Sequence, residues 1–136
     1  SHFDTSNVRD MERMFHGCKA VTELAVSNFD TANVRNMHAM FSNCSKLTTL
    51  DVSSFDINKV ENMITMFRGC PKLTTIYVSA NADWGASSAL TDSTEMFIDS
   101  TKLVGGNGTA YDASHIDATY ARVDKAGAAG YFTVKQ

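Results

Sequence analysis

A repeat with a constant offset of 26 runs through this sequence and restricts the folds open to it. Each copy carries a methionine, a phenylalanine, a cysteine and then an alternating apolar run, in the same order and at the same spacing. The phenylalanine row consists of Phe15, Phe41 and Phe67. Because so short a unit cannot bury its apolar face alone, the repeat predicts a solenoid whose coils stack on one another.

The apolar period changes within each unit. In the central copy, spacings of three and four place Met37, Met40, Phe41 and Cys44 on one stripe, which predicts a short helix. The spacing of two between Leu50 and Val52 predicts a short strand. The predicted fold is therefore a right-handed α/β leucine-rich-repeat solenoid, with short parallel strands on one face, short helices on the other and a C-terminal cap.

The repeat also resembles a known family. The run LTTLDVSSF has the form L-x-x-L-x-V-x-x-F, which is typical of a leucine-rich repeat. The segments FDTSNVRDMERMFHGC, FDTANVRNMHAMFSNC and FDINKVENMITMFRGC resemble the BspA-like leucine-rich repeats of bacterial surface proteins. This resemblance implies an extracellular module on the bacterial cell surface that binds a protein or glycan of a host or neighbouring cell.

The repeat suggests two parts of the chain. Residues 1–103 are predicted to form the array, with three full repeats and a degenerate one in which Met96 and Phe97 follow at an offset of 30. Residues 104–136 are predicted to cap the last coil, and the run LVGGNGTAYDASHIDATYARVDKAGAAGYFT is similar to the segment that commonly closes BspA-like arrays. We expect the first coil, which has no cap ahead of it, either to associate end to end at high concentration or to fray.

Composition argues against several classes of function. The net charge is −3 and the basic residues are scattered, which disfavours binding to nucleic acid. No apolar run approaches the roughly 20 residues of a membrane-spanning helix. Three cysteines cannot all pair within one chain, so a dense disulfide framework is excluded. No motif of a catalytic or cofactor-binding site occurs, and we expect neither catalysis nor a cofactor.

Two further rows could carry chemistry. Cys18, Cys44 and Cys70 end the apolar stripes, and we expect reduced, buried thiols, with a disulfide between adjacent coils or a metal site as alternatives. Asp4, Asp30 and Asp56 precede the predicted helices and are expected to cap them, with calcium binding as the alternative. His115 lies near Asp112 and Asp117 in the only histidine and aspartate cluster of the sequence, where we expect a part of the cap segment, with metal binding or catalysis as the alternative.

The outward strand positions vary between copies, whereas the inward ones repeat. This difference is typical of a solenoid that presents a specific surface on a generic scaffold. The predicted binding face consists of Glu23, Thr49, Asp51, Thr75, Tyr77 and Trp84. Tyr77 and Trp84 are expected to form an exposed aromatic cluster. The predicted function is adhesion or recognition; the alternative is a structural spacer that holds another domain away from the cell envelope.

Overall fold

A computed structural model describes residues 5–136 of the chain. Four short strands form one open parallel sheet in the order β1, β2, β3, β4. The strands are β1 Glu23–Ala25, β2 Thr49–Asp51, β3 Thr75–Val78 and β4 Phe132–Val134. Two 3₁₀ helices cover Trp84–Ala86 and Ala118–Tyr120. The predicted parallel strands are therefore confirmed.

The register of the sheet follows the sequence repeat. Leu24 pairs with Leu50, Leu50 with Ile76, and Ile76 with Phe132. Leu50, Ile76 and Phe132 are fully buried, as is expected for paired positions whose side chains share the inner face of the sheet. The constant offset of 26 thus places like residues directly opposite each other, and the apolar rows of the sequence become continuous rows of the core.

The predicted helices are wrong. Within residues 5–136 there is no α-helix, and the four segments expected to be helical are turns that cover residues 12–17, 38–43, 64–69 and 94–99. Each turn segment has positive φ at its second and sixth residue. These residues are Arg13, Ala39, Thr65, Glu95, Gly17, Asn43, Gly69 and Asp99. An α-helix cannot contain such residues, because all of its backbone angles lie in the right-handed region.

The reversed φ angles redirect every second amide. The Phe41 N–H donates to the Met66 carbonyl in the next repeat at 2.9 Å, whereas the Met40 N–H closes a local turn onto Met37 at 3.2 Å. The same alternation recurs in the neighbouring turn segments. Isolated parallel bridges continue this second ladder through Asp10, Asn36, Asn62 and Asp92. The stack is therefore held by backbone hydrogen bonds on two sides, and the helical spacing identified the inward residues but not the backbone conformation.

Aromatic rings form a continuous stack through the core. Ring centroids lie 5.5 Å apart for Phe15 and Phe41, 5.7 Å for Phe41 and Phe67, and 5.4 Å for Phe67 and Phe97. The rings of each pair are within 9° of parallel. These rings are those of the predicted phenylalanine row. It extends one residue further than the three predicted, because Phe97 continues it despite the altered offset.

The C-terminal segment completes the sheet as well as covering the core. Tyr131 and Phe132 are fully buried and pack edge-on against Phe97, at 5.1 and 6.1 Å between centroids. The sequence predicted residues 104–136 as a cap over the last coil. The sequence did not predict that the same segment supplies β4, which pairs in parallel with β3. The last repeat of the array contributes no strand of its own, and the tail takes that place.

Candidate binding surface

The outward face of the sheet holds five of the six predicted binding residues. Glu23 pairs with Thr49 and Thr49 with Thr75 in one row. Asp51 pairs with Tyr77 in the next row, where β1 contributes Ala25. All of these side chains are partly or fully exposed, in contrast to the buried residues between them on β2 and β3. The structure thus brings them onto one surface, and binding by that surface stays a prediction.

Trp84 does not belong to this surface, and its predicted exposure is wrong. It is 3% exposed and begins the first 3₁₀ helix. Its ring lies 6.4 Å from Phe55 at an interplanar angle of 9°, and 4.9 Å from Phe132 edge-on. Trp84 therefore takes the next place after Phe29 and Phe55 in a second aromatic row. That row was present in the sequence, but the insertion before Trp84 hid its continuation.

Asp51, Tyr77 and Lys135 form a contact across three strands. The Lys135 Nζ lies 2.9 Å from the Asp51 carboxylate and 5.3 Å from the centroid of the Tyr77 ring. Burial opposes ionisation of Asp51, but hydrogen bonds from Ser53 and Lys135 outweigh it and lower its pKa. The carboxylate in turn raises the pKa of Lys135. Both groups are consequently charged at neutral pH. Lys135 was not predicted from the sequence, because it comes to lie beside β3 only when the C-terminal tail pairs with that strand.

A shallow depression lies on the β1 side of this contact. It has a volume of about 450 Å³. Its lining residues are Glu23, Leu24, Ala25, Thr49, Asp51, Tyr77 and Lys135. The small side chain of Ala25 leaves open space next to Asp51, and Glu23 is exposed at the rim. The surface therefore combines two carboxylates, one ammonium group and one aromatic ring.

The cysteine row is a structural ladder without disulfides. Cys18, Cys44 and Cys70 are free thiols. The Cys44 and Cys70 thiols are buried and donate to the carbonyls of Phe15 and Phe41, at 3.3 and 3.1 Å. Contact with the Cys70 thiol and burial raise the pKa of Cys44. Cys18 is only partly buried, so the expectation that all three are buried is wrong for the first coil.

The aspartate row forms turns instead of helix caps. The Asp30 carboxylate accepts from the Ala32 N–H at 3.0 Å, and Asp56 accepts from Asn58 at 3.0 Å. Each contact reaches two residues ahead, which is the geometry of an Asx-turn, and no helix follows. Asp4 lies outside the described residues. Asp10, Asn36, Asn62 and Asp92 form a second Asx-turn row that the sequence analysis did not single out.

The histidine and aspartate cluster is a local contact in the C-terminal segment. The His115 Nδ1 lies 3.1 Å from the Asp112 carboxylate, and its ring stacks on Tyr120 at 4.2 Å. Hydrogen bonds from Ser114 and then His115 lower the pKa of Asp112 to about 2. In the part of the chain that the structure describes, no three His, Cys, Asp or Glu side chains converge as metal ligands would.

Residues 5–136 contain no helix long and apolar enough to span a membrane.

Comparison with known proteins identifies a family. The profile of the family described as "Mycoplasma protein of unknown function, DUF285" matches residues 1–119. The chain belongs to the DUF285 family. The match covers the whole repeat region and the first part of the segment predicted as a cap. No curated protein and no solved structure significantly matches the chain.

Proposed function

We propose that this DUF285 chain is a BspA-like leucine-rich-repeat solenoid on the bacterial cell surface, where it binds a protein or glycan through the outward face of its sheet. The in-register strands and the second ladder of backbone hydrogen bonds support the solenoid, since each repeat finds its partners in the next one. The surface location is supported by the sequence resemblance. The proposal assigns binding, and no catalysis, to the chain.

One observation carries the proposal: the two faces of the sheet differ in their regularity. Inward, Leu24, Leu50 and Ile76 form a row of similar residues. Outward, the adjacent row changes from Ala25 to Asp51 to Tyr77. A spacer needs only the inward rows. A face with varied charge, polarity and an aromatic ring is what a recognition surface needs.

The test is binding of the purified chain to immobilised extracellular-matrix proteins and to a glycan array. A variant with Glu23→Ala and Tyr77→Ala alters the outward face at two partly or fully exposed positions. The matched control is Arg68→Ala with Glu95→Ala, two exposed positions on the turn segments. We expect loss of binding, with an unchanged melting temperature, in the first variant and not in the second. Equal binding by both variants, or no binding by the wild type, would contradict the proposal and favour the spacer.

A further inference from the structure

Lys135 occupies a site for an ammonium group on the outward face. Its backbone N–H donates to the Val78 carbonyl at 2.9 Å, which fixes the residue directly after β4. From there its side chain passes over the Tyr77 ring to Asp51, two strands away. An ammonium group over an aromatic face and against a carboxylate is a favourable arrangement, because both groups attract positive charge.

The carboxylate of this site is held in place independently of Lys135. Asp51 Oδ1 accepts a hydrogen bond from the Ser53 backbone N–H at 2.9 Å, which leaves Oδ2 for the ammonium group. The Asp51 side chain is 16% exposed, whereas that of Lys135 is 49% exposed. The anionic partner is therefore pre-organised, and the cationic partner is the more exposed side of the pair. An ion pair with so exposed a lysine contributes little to stability, so Lys135 can leave at small cost.

The depression next to the pair has room and charge for a second cation. Ala25 leaves space on the β1 side of Asp51, and Glu23 adds a carboxylate at the rim. Glu23 forms no ion pair with any of the described residues. The depression is thus lined by two carboxylates and one ammonium group, and this local excess of negative charge favours a positively charged ligand.

We propose that this site binds a lysine side chain of a basic partner polypeptide, which displaces Lys135 from Asp51 and Tyr77 and extends towards Glu23. The inference rests on the proposed function, since it specifies the partner of the same face. Lys135 acts as an intramolecular competitor: it satisfies Asp51 in the free protein and yields to a ligand that also reaches Glu23.

The probe is an N-acetylated, C-amidated tetralysine peptide, titrated into the full chain and followed by backbone amide chemical shifts. Lys135→Gln removes the competitor and is matched by Lys102→Gln, an exposed lysine elsewhere. The two variants have equal net charge, so non-specific attraction cancels between them. We expect Lys135→Gln to bind about threefold more tightly than Lys102→Gln, a ratio typical of one surface ion pair. The shifts should centre on Thr49, Asp51 and Tyr77.

A second pair of variants tests the carboxylate. Asp51→Asn keeps an oxygen that can accept from Ser53, so the turn is retained while the charge is lost. Its matched control is Glu95→Gln on a turn segment. We expect Asp51→Asn to bind the peptide at least about threefold more weakly than Glu95→Gln. The measurement is made on protein whose amide spectrum shows the wild-type fold.

Two results would overturn the inference: shifts spread evenly over acidic residues, or equal affinities within either matched pair. Failure of the inference is distinguishable from failure of the proposed function. If the tetralysine peptide does not bind, but the variant with Glu23→Ala and Tyr77→Ala still loses binding to a matrix protein or glycan, the face binds a ligand other than a lysine side chain. If the peptide does not bind and this variant shows no loss of binding, the face has no binding role.

Discussion

The first and the central repeat have the same sequence pattern and the same turns, but very different burial. Met40 and Phe41 are fully buried, whereas Met14 is 45% exposed and Phe15 is only partly buried. The physical difference is the number of neighbours, because the central repeat packs between two others. The burial of Met14 and Phe15 is thus set by their position in the stack, whereas Met11 of the same repeat is only 2% exposed.

The opposite end of the stack shows how burial is completed. Phe97 belongs to the degenerate repeat and is nevertheless fully buried, because Tyr131 and Phe132 cover it. The C-terminal segment thus buries the degenerate repeat, just as a regular neighbouring repeat buries the central one. The two ends of the described chain are therefore unequal, and the first repeat is expected to be the less stable one.

The largest expected effect comes from removing a ring in the centre of the stack. Phe41→Ala removes contacts with both Phe15 and Phe67 and should lower the free energy of unfolding by about 3–5 kcal/mol. Phe15→Ala should cost less than half as much, because that side chain is already partly exposed. Urea denaturation of both variants measures the difference. Equal losses would show that stacking does not set the stability.

A smaller effect is expected at the end of the cysteine row. Ser100 donates to the Phe67 carbonyl at 2.5 Å and accepts from the Cys70 N–H at 3.0 Å. Ser100→Ala leaves both buried groups unpaired and should cost about 1–3 kcal/mol. Cys44→Ser should cost less, since its hydroxyl can donate to the Phe15 carbonyl that the thiol now contacts. A larger loss for Cys44→Ser in thermal melts would contradict this interpretation of the row.

Acid should lower the stability of the C-terminal segment, where the pKa values of two aspartates are lowered. In the C-terminal segment the pKa of Asp112 is lowered to about 2, from an ordinary 3.8, by bonds from Ser114 and His115. Burial opposes ionisation of Asp124, but backbone and hydroxyl hydrogen bonds from Thr109 outweigh it and lower its pKa. A depressed pKa contributes stability above the unfolded value that is lost as pH falls through the folded one.

We therefore expect the stability of the C-terminal segment to fall from about pH 4 downwards. Amide hydrogen exchange at pH 5 and pH 3 measures this region by region. Asp124→Asn serves as the comparison, since it removes one of the titrating groups and should weaken the pH dependence. If protection declined in the first repeat alone, the aspartates of the C-terminal segment would not be responsible.

The smallest effect on stability is expected at Met14, where the effect on association should be larger. We propose that the partly exposed first repeat mediates end-to-end self-association, and Met14 is an exposed large apolar side chain among its described residues. Met14→Lys should change the free energy of unfolding by less than about 0.5 kcal/mol. Sedimentation velocity over a range of concentrations should show association of the wild type and its loss in the variant. A wild type that stays monomeric throughout would contradict the proposal.

The sequence by itself determined the apolar rows, the first three strands and the face on which Glu23, Thr49, Asp51, Thr75 and Tyr77 lie. It could do so because a fixed offset of 26 forces equal positions into register once strands pair, and alternation then separates the two faces. Local spacing also placed Met40, Phe41 and Cys44 correctly in the core.

Tertiary structure alone decided the backbone of the turn segments, the burial of Trp84 and the position of Lys135. The turns are not helices because every second amide donates to a carbonyl of a neighbouring repeat. A local sequence pattern contains no information about such partners. Gly17, Asn43 and Gly69 are of residue types that adopt positive φ readily. Arg13, Ala39 and Thr65 are not, so their positive φ could not be predicted from the sequence. The positions of the Trp84 and Lys135 side chains depend on how the insertion before Trp84 and the C-terminal tail pack against the stack. These contacts join residues far apart in the chain, so their energies appear only when the whole stack has formed.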